Sequence, residues 1–356
     1  MKKIKIGNKF IGENQPIFFI AEAGVNHNGS LELAKKLIDV AKDAGADAVK
    51  FQSFLADEIN LPNSPKSTYH IETTGDDKKQ TWMELLKTQE ISKEMHLELI
   101  KYCNKKEIIF LSTPYDEKSS NLLNDLGISA FKIASTDTNN YKLLTHIAKK
   151  NKPIILSTAM STEEEVKESV DLLLNNNVNE IVLMQCTGSY PTKLEDSNLN
   201  VIKTYRKLFN NKCLYGYSDH TESYINPVAA STMGISMYEK HFTLDKKLPG
   251  PDHRMSLDPN ELKKTIKLIR ETESSLGKFK KTVLKCEIEN REKLRKSLVA
   301  RLDILKGTKV TKDFLTSKRP GTGIPPSEID KIIGKVAQKN ITKNSILKRD
   351  MFKNNE

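Results

Sequence analysis

Charged and hydroxyl-bearing residues follow short apolar runs at several places in the chain, and their types suit the binding of a small anion. Lys50 and Lys132 each lie in such a run, and Ser157 and Ser218 end or follow two others. Two ammonium groups from different strands can clamp a phosphate or carboxylate from two sides, and serine hydroxyls add neutral donors. A lone lysine at a strand end is more often a surface group. Two lysines beside serines therefore predict an anion site.

A pair of histidines occupies the same kind of position. His220 follows the run from Leu214 to Tyr217, and His241 lies near the end of the next run, two residues after Glu239. Side chains two apart on a strand share a face, so Glu239 and His241 can point into one pocket. Each histidine alone is more often a hydrogen-bonded core or rim residue. As a pair they support a catalytic metal, because a structural zinc prefers four closed ligands.

Eight apolar, β-branched runs carry these residues. Amphipathic helical spacing fills most of the gaps, as from Leu31 to Ala41 and from Val166 to Leu174. Strand and helix alternating eight times within about 250 residues predict a (β/α)8 TIM barrel, although an open doubly wound sheet shares most of the pattern. Barrel active sites lie at the carboxyl ends of the strands, which is where the polar residues fall. The runs are Ile17 to Ala21, Ala48 to Phe51, Ile108 to Ser112, Ala130 to Ile133, Ile154 to Ser157, Ile181 to Met184, Leu214 to Tyr217 and Met237 to Phe242.

Three segments are predicted along the chain. Residues 1–277 form the barrel, which ends with a helix from Leu262 to Leu276. The charged stretch 278–296 indicates an exposed helical linker. Residues 297–356 contain short, turn-rich runs that indicate a small β-rich domain.

Composition narrows the class of protein. The 356 residues carry a net charge of +11, but the lysines and arginines are scattered through helical stretches without interleaved aromatics, so we expect no nucleic-acid binding. No apolar run approaches the roughly 20 residues of a membrane helix, and no signal-type run follows Met1. We therefore expect no membrane association and a cytoplasmic location. Four scattered cysteines show neither metal-binding CxxC spacing nor the density of a disulfide framework.

The segment from Ala21 to Gly29, AEAGVNHNG, resembles the opening motif of the sialic acid (N-acetylneuraminate and legionaminate) synthases, and the resemblance covers nearly the whole chain. In the small domain, Lys318 to Ile324 resembles the signature of the antifreeze-like (SAF) domain. The resemblance implies a metal-dependent transferase that condenses phosphoenolpyruvate with an N-acylated mannosamine-type sugar. Further matching segments are 49–52, 111–114, 131–133, 157–160, 190–191, 217–221, 239–243 and 250–253.

The resemblance also implies a role for each matching residue. His220 and His241 would hold a divalent metal, Mn²⁺ or Mg²⁺. Glu22, Asp252 and Glu239 would be the catalytic carboxylates, with the choice of proton carrier between Glu22 and Asp252 left open. The implied phosphoenolpyruvate-binding residues are Lys50, Lys132, Ser135, Ser157 and Ser218, and the implied sugar contacts are Glu22, Gln52, Tyr190, Asp252 and Arg319. In the family the last of these reaches the barrel of a partner subunit, which implies a domain-swapped homodimer.

Three departures from the family pattern lie around the implied sugar position. Thr136-Asp137 replaces a Gly-Glu pair, Ala159 replaces a glycine, and Gly188-Ser189 stands where a larger polar residue is common. They leave the acceptor open between N-acetylmannosamine, which gives N-acetylneuraminate, and 2,4-diacetamido-2,4,6-trideoxymannose, which gives N,N'-diacetyllegionaminate.

Three other functions are weighed against this one. A synthase for phosphorylated sugars would need a second anion site, and no Arg or Lys cluster for it follows Gly188. A pseudaminate synthase usually differs around Gly250 to Ser256, where this chain follows the neuraminate and legionaminate pattern. A carbohydrate-binding module would need neither a histidine pair nor a lysine clamp.

Overall fold

This computed structural model describes residues 3–76, 78 and 80–353, so residues 1, 2, 77, 79 and 354–356 of the predicted domains lie outside the described residues. The strands of the first part of the chain are β1 (Lys3–Ile6), β2 (Lys9–Gly12), β3 (Phe18–Gly24), β4 (Ala48–Ser53), β5 (Ile109–Pro114), β6 (Phe131–Ile133), β7 (Ile154–Ser157), β8 (Ile181–Cys186), β9 (Leu214–Asp219) and β10 (Met237–His241). The α-helices are α1 (Leu31–Ala44), α2 (Ala56–Ile59), α3 (Thr68–Thr74), α4 (Trp82–Gln89), α5 (Lys93–Lys106), α6 (Glu117–Asp125), α7 (Tyr141–Ala148), α8 (Glu163–Asn175), α9 (Val201–Phe209), α10 (Ile225–Thr232) and α11 (Pro259–Leu276).

Eight parallel strands form a barrel, as the sequence predicts. Their order is β5-β4-β3-β10-β9-β8-β7-β6, and β5 lies beside β6, so the sheet curves round on itself. Each of the eight predicted runs is one of these strands. The carboxyl ends of all eight strands therefore meet at one end of the barrel, which is where the fold places active-site residues.

The helices cover the barrel with apolar faces set by the sequence. In α1, Ser30 caps the first turn by accepting a hydrogen bond from the Leu33 N–H, and Gly45, at φ 88°, ends the helix. Leu37 and Ile38 lie on the buried face of α1 and belong to the core between the helices and the strands. The helix therefore has one fixed orientation on the barrel.

A second core fills the interior of the barrel and is closed by an element that the sequence did not predict. The hairpin of β1 and β2 buries Ile4, Ile6 and Ile11 against strand residues such as Ile20 and Leu111. Each of these two strands is only four residues long, so the alternation of apolar residues in them is too short to predict a buried hairpin from the sequence. The hairpin closes the end of the barrel opposite the site.

The chain divides after Gly277 into two compact units, and residues 278–356 form the second. Its strands are β11 (Ser297–Ala300), β12 (Leu315–Lys318), β13 (Val336–Ala337) and β14 (Phe352–Lys353), which pair as two antiparallel ladders over a small core of their own. Short strands and turns make this unit β-rich.

The predicted helical linker at 278–296 is only partly helical. Only α12 (Ile288–Leu294), with a single 3-10 turn before it at Lys285–Glu287, is helical. Gly277 ends α11 at φ 62°, and Phe279, Thr282 and Val283 in the segment that follows favour helix weakly. The segment from 278 to 284 is therefore an irregular connection.

No helix within the described ranges is both long and apolar enough to cross a membrane.

Candidate active site

The predicted polar residues converge at the carboxyl ends of the strands because of the parallel register. Lys50 on β4 is the register partner of Glu22 on β3, and Glu239 on β10 is that of Ser218 on β9. All four side chains are buried. Neighbouring parallel strands place register partners side by side, so these residues form one cluster.

Two lysines and two carboxylates lie at the centre of this cluster. The Lys50 ammonium lies 2.8 Å from Glu22 Oε2 and 3.7 Å from Glu239 Oε2, and it donates to the Thr113 hydroxyl at 3.0 Å. The Lys132 ammonium lies 3.6 Å from Glu239 Oε1. Glu239 is thus flanked by both lysines. This arrangement brings together cations from β4 and β6.

Burial and charge shift the cluster's pKa values. Burial raises the pKa of Glu22 from 4.5 to about 7, against the opposing charge of Lys50. Burial also raises the pKa of Glu239, but the charges of Lys132 and Lys50 outweigh it and leave that pKa below its ordinary value. Burial lowers the pKa of Lys132, whereas Glu22 and Glu239 outweigh burial at Lys50 and raise its pKa. At neutral pH Glu22 is therefore able either to give or to take a proton.

Hydroxyl groups surround the cations. Ser218 donates to Glu239 Oε1 at 3.0 Å, and Ser135 accepts from the Ala159 N–H at 2.9 Å. The Ser157 hydroxyl is buried and has no hydrogen-bond partner among the described residues. A buried hydroxyl without a partner carries a desolvation cost, which a bound oxygen atom could offset.

The two histidines lie side by side next to this cluster, with ring centroids 5.5 Å apart. His220 Nδ1 donates to the Thr187 carbonyl at 2.7 Å. Burial lowers the pKa of His220, but the charge of the neighbouring Cys186 and the hydrogen bonds of the ring outweigh it and raise that pKa to about 9, so Nε2 must give up a proton before it can bind a metal. His241 Nδ1 is buried without a hydrogen-bond partner, 3.9 Å from Asp252 Oδ2. Burial holds the pKa of His241 well below 6.5, which keeps its ring neutral.

Such a pair fits an open metal site. Within residues 3–76, 78 and 80–353, no three His, Cys, Asp or Glu side chains are grouped as a ready metal cage. The fit rests instead on two adjacent imidazoles, one of which has a buried Nδ1 without a hydrogen-bond partner among the described residues. The protein would supply two ligands and leave the other positions to water and substrate.

A third set of side chains surrounds Gly24, at the end of β3. Gln52 donates to Glu22 Oε1 at 3.2 Å. A Cβ on Gly24, whose φ is +52°, would meet Asp252 Oδ2 and Gln52 Nε2 at 3.4 Å and Glu22 Oε1 at 3.5 Å. Burial raises the pKa of Asp252 from 3.8 to about 6. Two carboxylates and an amide thus face one small space kept open by a glycine.

Aromatic side chains border the histidine pair. The Tyr190 ring lies 4.4 Å from that of His220 and 6.2 Å from that of Tyr69 on α3. Tyr115, after β5, is partly buried, and burial followed by the charge of Glu22 raises its pKa well above the ordinary value. The sequence analysis missed Tyr69, Tyr115 and Thr113. Thr113 and Tyr115 lie in or next to the matching segment 111–114, whereas nothing in the sequence marks Tyr69.

One predicted residue, Arg319, belongs to the second compact unit. Its side chain is exposed there. The remaining predicted site residues all belong to the barrel.

A cleft of about 770 Å³ opens at the opposite end of the barrel. Two of its lysines are engaged within the protein, since Lys9 pairs with Asp47 and Lys42 donates to the Glu107 carbonyl. The shifted carboxylates and the histidine pair lie at the other end, so the chemistry belongs there.

Comparison with known protein families identifies both parts of the chain. A model of the NeuB family matches residues 37–281, and a model of the SAF domain matches residues 295–353. The chain belongs to the NeuB family. The resemblance to sialic acid synthases is thereby confirmed, as is the class of enzyme.

Three relatives of this NeuB protein show the range of products. The N,N'-diacetyllegionaminic acid synthase of Campylobacter jejuni is 43% identical over 92% of this chain and 98% of its own length. That of Legionella pneumophila is 41% identical over 96% of both chains. The structure of an N-acetylneuraminic acid synthetase from Leptospira borgpetersenii, in complex with citrate, has a TM-score of 0.70 and 34% identity, covering 81% of this chain and 95% of that chain. The NeuB chain is thus a nonulosonic acid synthase.

Proposed function

We propose that the protein joins phosphoenolpyruvate to the open-chain form of an N-acylated mannosamine-type sugar. The observation that carries this proposal is the pair of buried lysines flanking Glu239 next to the histidine pair. C3 of phosphoenolpyruvate forms the new bond to the aldehyde carbon, and the aldehyde oxygen takes up a proton. Water then adds at C2, and phosphate leaves with cleavage of its bond to C2, which yields the keto acid.

Lys50 and Lys132 hold phosphoenolpyruvate in this mechanism. The substrate carries a phosphate and a carboxylate, and two ammonium groups from opposite sides balance that charge where little water screens it. Ser157, Ser218 and Ser135 add neutral donors. Glu239 sets the spacing of the lysines by attracting both, and it keeps the site close to neutral when no substrate is bound.

Glu22 and Asp252 manage the protons of the reaction. The pKa values of about 7 and about 6 lie near neutral pH, where a carboxylate exchanges protons most effectively. As carboxylates they also stabilise the positive charge that develops at C2 after the first bond forms. Gln52, which donates to Glu22, and Tyr190, which packs on His220, orient the sugar beside them.

His220 and His241 would hold Mn²⁺ or Mg²⁺, which supplies electrophilic polarisation of the aldehyde oxygen. The protein fixes one property of each ring that metal binding requires. The Thr187 carbonyl fixes the ring orientation of His220, and burial keeps His241 neutral, as a metal ligand must be.

Two of the relatives favour the diacetamido acceptor. Both legionaminic acid synthases exceed 40% identity over more than nine-tenths of this chain. We therefore propose 2,4-diacetamido-2,4,6-trideoxymannose ahead of N-acetylmannosamine as the acceptor. An unphosphorylated sugar is consistent with the carboxylates Glu22 and Asp252 at the proposed sugar position, because they would repel a phosphate group.

An acceptor comparison tests the proposal. The protein is incubated with phosphoenolpyruvate, Mn²⁺ and each sugar in turn, and phosphate and keto acid are measured. We expect both products in equal amounts, with the higher kcat/KM for the diacetamido sugar. Phosphate release that does not depend on any sugar would contradict the proposed reaction, and a preference for N-acetylmannosamine would contradict only the choice of acceptor.

A further inference from the structure

The long connection between β4 and β5 carries three short helices, and α3 is fixed over the site by its neighbours. His70 stacks on Trp82 of α4, with ring centroids 4.3 Å apart. The Glu72 carboxylate lies 3.3 Å from the guanidinium of Arg254, in the loop that also carries Asp252. Lys66, which is buried, donates to the Gly75 carbonyl at 3.0 Å and so joins the two ends of the segment. Helix α3 is therefore part of the wall of the site.

Tyr69 is the residue of α3 that faces inward. Its ring lies 6.2 Å from the Tyr190 ring, which itself packs on His220. Its hydroxyl oxygen is shielded from solvent and has no hydrogen-bond partner among the described residues. The Met255 N–H is directed at the hydroxyl oxygen, so the O–H is the side of this group that lacks a partner. A tyrosine hydroxyl normally finds a partner when it is shielded in this way.

The surroundings define what kind of partner the hydroxyl would take. A phenol can donate and accept at once, which suits a hydroxyl or an amide. The negative charge of Asp252 reaches the same hydroxyl and disfavours an anionic partner. The nearby cations are engaged, since Lys66 donates to a backbone carbonyl and Arg254, whose charge also reaches this hydroxyl, pairs with Glu72. A neutral polar group therefore fits, and a phosphate does not.

We propose that Tyr69 is a specificity-determining residue that hydrogen-bonds a neutral hydroxyl or acylamino group of the acceptor sugar, on C4 or C5, the far carbons that carry a polar group in both candidate sugars. The inference rests on the proposed function. The aldehyde end of the sugar lies at the histidine pair, and Tyr69 is separated from that pair by the Tyr190 ring, so it meets the far end of the molecule. Helix α3 would then discriminate between acceptor sugars by the polar group that they carry at that end.

The test uses Tyr69→Phe, which keeps the ring contact with Tyr190 and removes only the hydroxyl. Tyr141→Phe is the matched control, since the Tyr141 hydroxyl donates to Glu168 on the outer helices. Thermal unfolding of both variants is measured first, and steady-state kinetics follow with each sugar and with phosphoenolpyruvate. For Tyr69→Phe we expect kcat/KM for the better acceptor to fall about tenfold, the size of a lost buried hydrogen bond, with KM for phosphoenolpyruvate changed less than about twofold. The control should match the wild type.

Acceptors that lack the contacted group separate recognition from a structural role. N-acetylmannosamine and its deoxy analogues at C4, C5 and C6 are compared in wild type and Tyr69→Phe. One analogue should be used equally well by both proteins, because it no longer offers the group that the hydroxyl binds. If every analogue is affected to the same extent as the parent sugar, or if Tyr69→Phe behaves like the wild type, the inference about Tyr69 is wrong while the reaction stands. If the wild type neither binds nor converts any of these sugars, the proposed function and this inference are both overturned.

Discussion

Lys132 differs from Lys50 in how closely it is paired. The Lys50 ammonium lies 2.8 Å from Glu22, whereas the nearest carboxylate oxygen to Lys132 is 3.6 Å away on Glu239, which Lys50 also attracts. Lys132 is therefore the cation more available to an anionic substrate. Burial lowers the pKa of Lys132, and a bound dianion would raise it again. Binding of the anion therefore favours the protonated form of Lys132.

Replacing Lys132 by alanine should separate the two substrates. Charge-assisted contacts contribute on the order of 1.5–3 kcal/mol, so Lys132→Ala should raise KM for phosphoenolpyruvate roughly ten- to a hundredfold. The requirement for sugar should change far less. Lys142→Ala, at an exposed ion pair with Glu117, is the control and should have no effect. Equal effects of Lys132→Ala on both substrates would count against the clamp.

The histidine pair gives a second prediction at this scale. Exhaustive chelation should abolish activity and Mn²⁺ should restore it, since no other group of the proposed site polarises the aldehyde as strongly. His220→Ala and His241→Ala should each weaken Mn²⁺ binding, measured by calorimetry or electron paramagnetic resonance without substrate. His146→Ala, at a partly exposed ring on α7, should bind as the wild type does. Unchanged binding in either site variant would remove that histidine from the set of ligands.

At the scale of elements, the loops that follow β3 and β10 depend on each other. Asn26 donates to the Phe242 carbonyl at 2.8 Å, and Asn28 donates to the Pro249 carbonyl at 2.8 Å. His253 is fully buried, and its Nδ1 lies 2.6 Å from the Thr243 hydroxyl. The second loop carries Asp252, so this network helps to set the position of a proposed catalytic carboxylate.

Buried neutral histidines should make these loops sensitive to acid. Burial lowers the pKa values of His27 and His253 from 6.5 to about 4. Between these values the unfolded chain binds more protons than the folded one, so stability falls as pH is lowered from about 6.5 to 4, by up to about 1.4 kcal/mol per pH unit for each histidine. Glu22 and Asp252, whose pKa values are raised by burial, contribute a slope of the opposite sign over the same range. The histidine contribution is therefore measured as a difference: as pH is lowered from about 6.5 to 4, the Tm of the metal-free wild type should fall relative to that of His27→Leu.

The control for that slope is His146→Leu, because His146 is only partly buried on α7. It should leave most of the slope in place. If the Tm of His27→Leu depends on pH in the same way as that of the wild type, then protonation of His27 does not destabilise the folded protein and the prediction is wrong.

The sequence predicts the repeating parts of this molecule well and the single parts poorly. Eight strands were found because each is a short apolar run ending in polar residues, and the same rule found Lys50, Lys132 and His241. The β1–β2 hairpin was missed because its burial depends on the open end of the barrel that it covers. Tyr69 was missed because its inward position depends on contacts with Tyr190 and with the loop of Asp252, which no local pattern encodes.

At the scale of the whole molecule, the connection between the units exposes apolar side chains. Phe279 is fully exposed, and Val283, Leu284, Ile288 and Leu294 are exposed as well. A segment so rich in exposed apolar groups is expected to be covered in the working protein. We propose that a second copy covers it in a domain-swapped homodimer, in which Arg319 of each chain serves the barrel of the other.

Mixing inactive chains tests this arrangement. Arg319→Ala and His241→Ala, each nearly inactive alone, are mixed under conditions that let dimers re-form. A heterodimer should regain one working site, from an intact barrel and an intact Arg319, giving up to about half of the activity of a wild-type dimer. Mixing His220→Ala with His241→Ala is the control and should restore nothing, since both barrels are then damaged. Heterodimers of the first pair that stay inactive would place Arg319 within its own chain or outside the site.

The fate of the oxygen atom that bridges C2 and phosphorus tests the proposed reaction most directly. Phosphoenolpyruvate labelled with ¹⁸O at this bridge is given to the Mn²⁺-loaded protein with 2,4-diacetamido-2,4,6-trideoxymannose, and both products are examined by mass spectrometry. Attack through C3 followed by addition of water at C2 predicts one labelled phosphate for each nonulosonic acid formed, with no label in the keto acid. Label retained in the keto acid, or phosphate formed without a sugar product, would contradict the account.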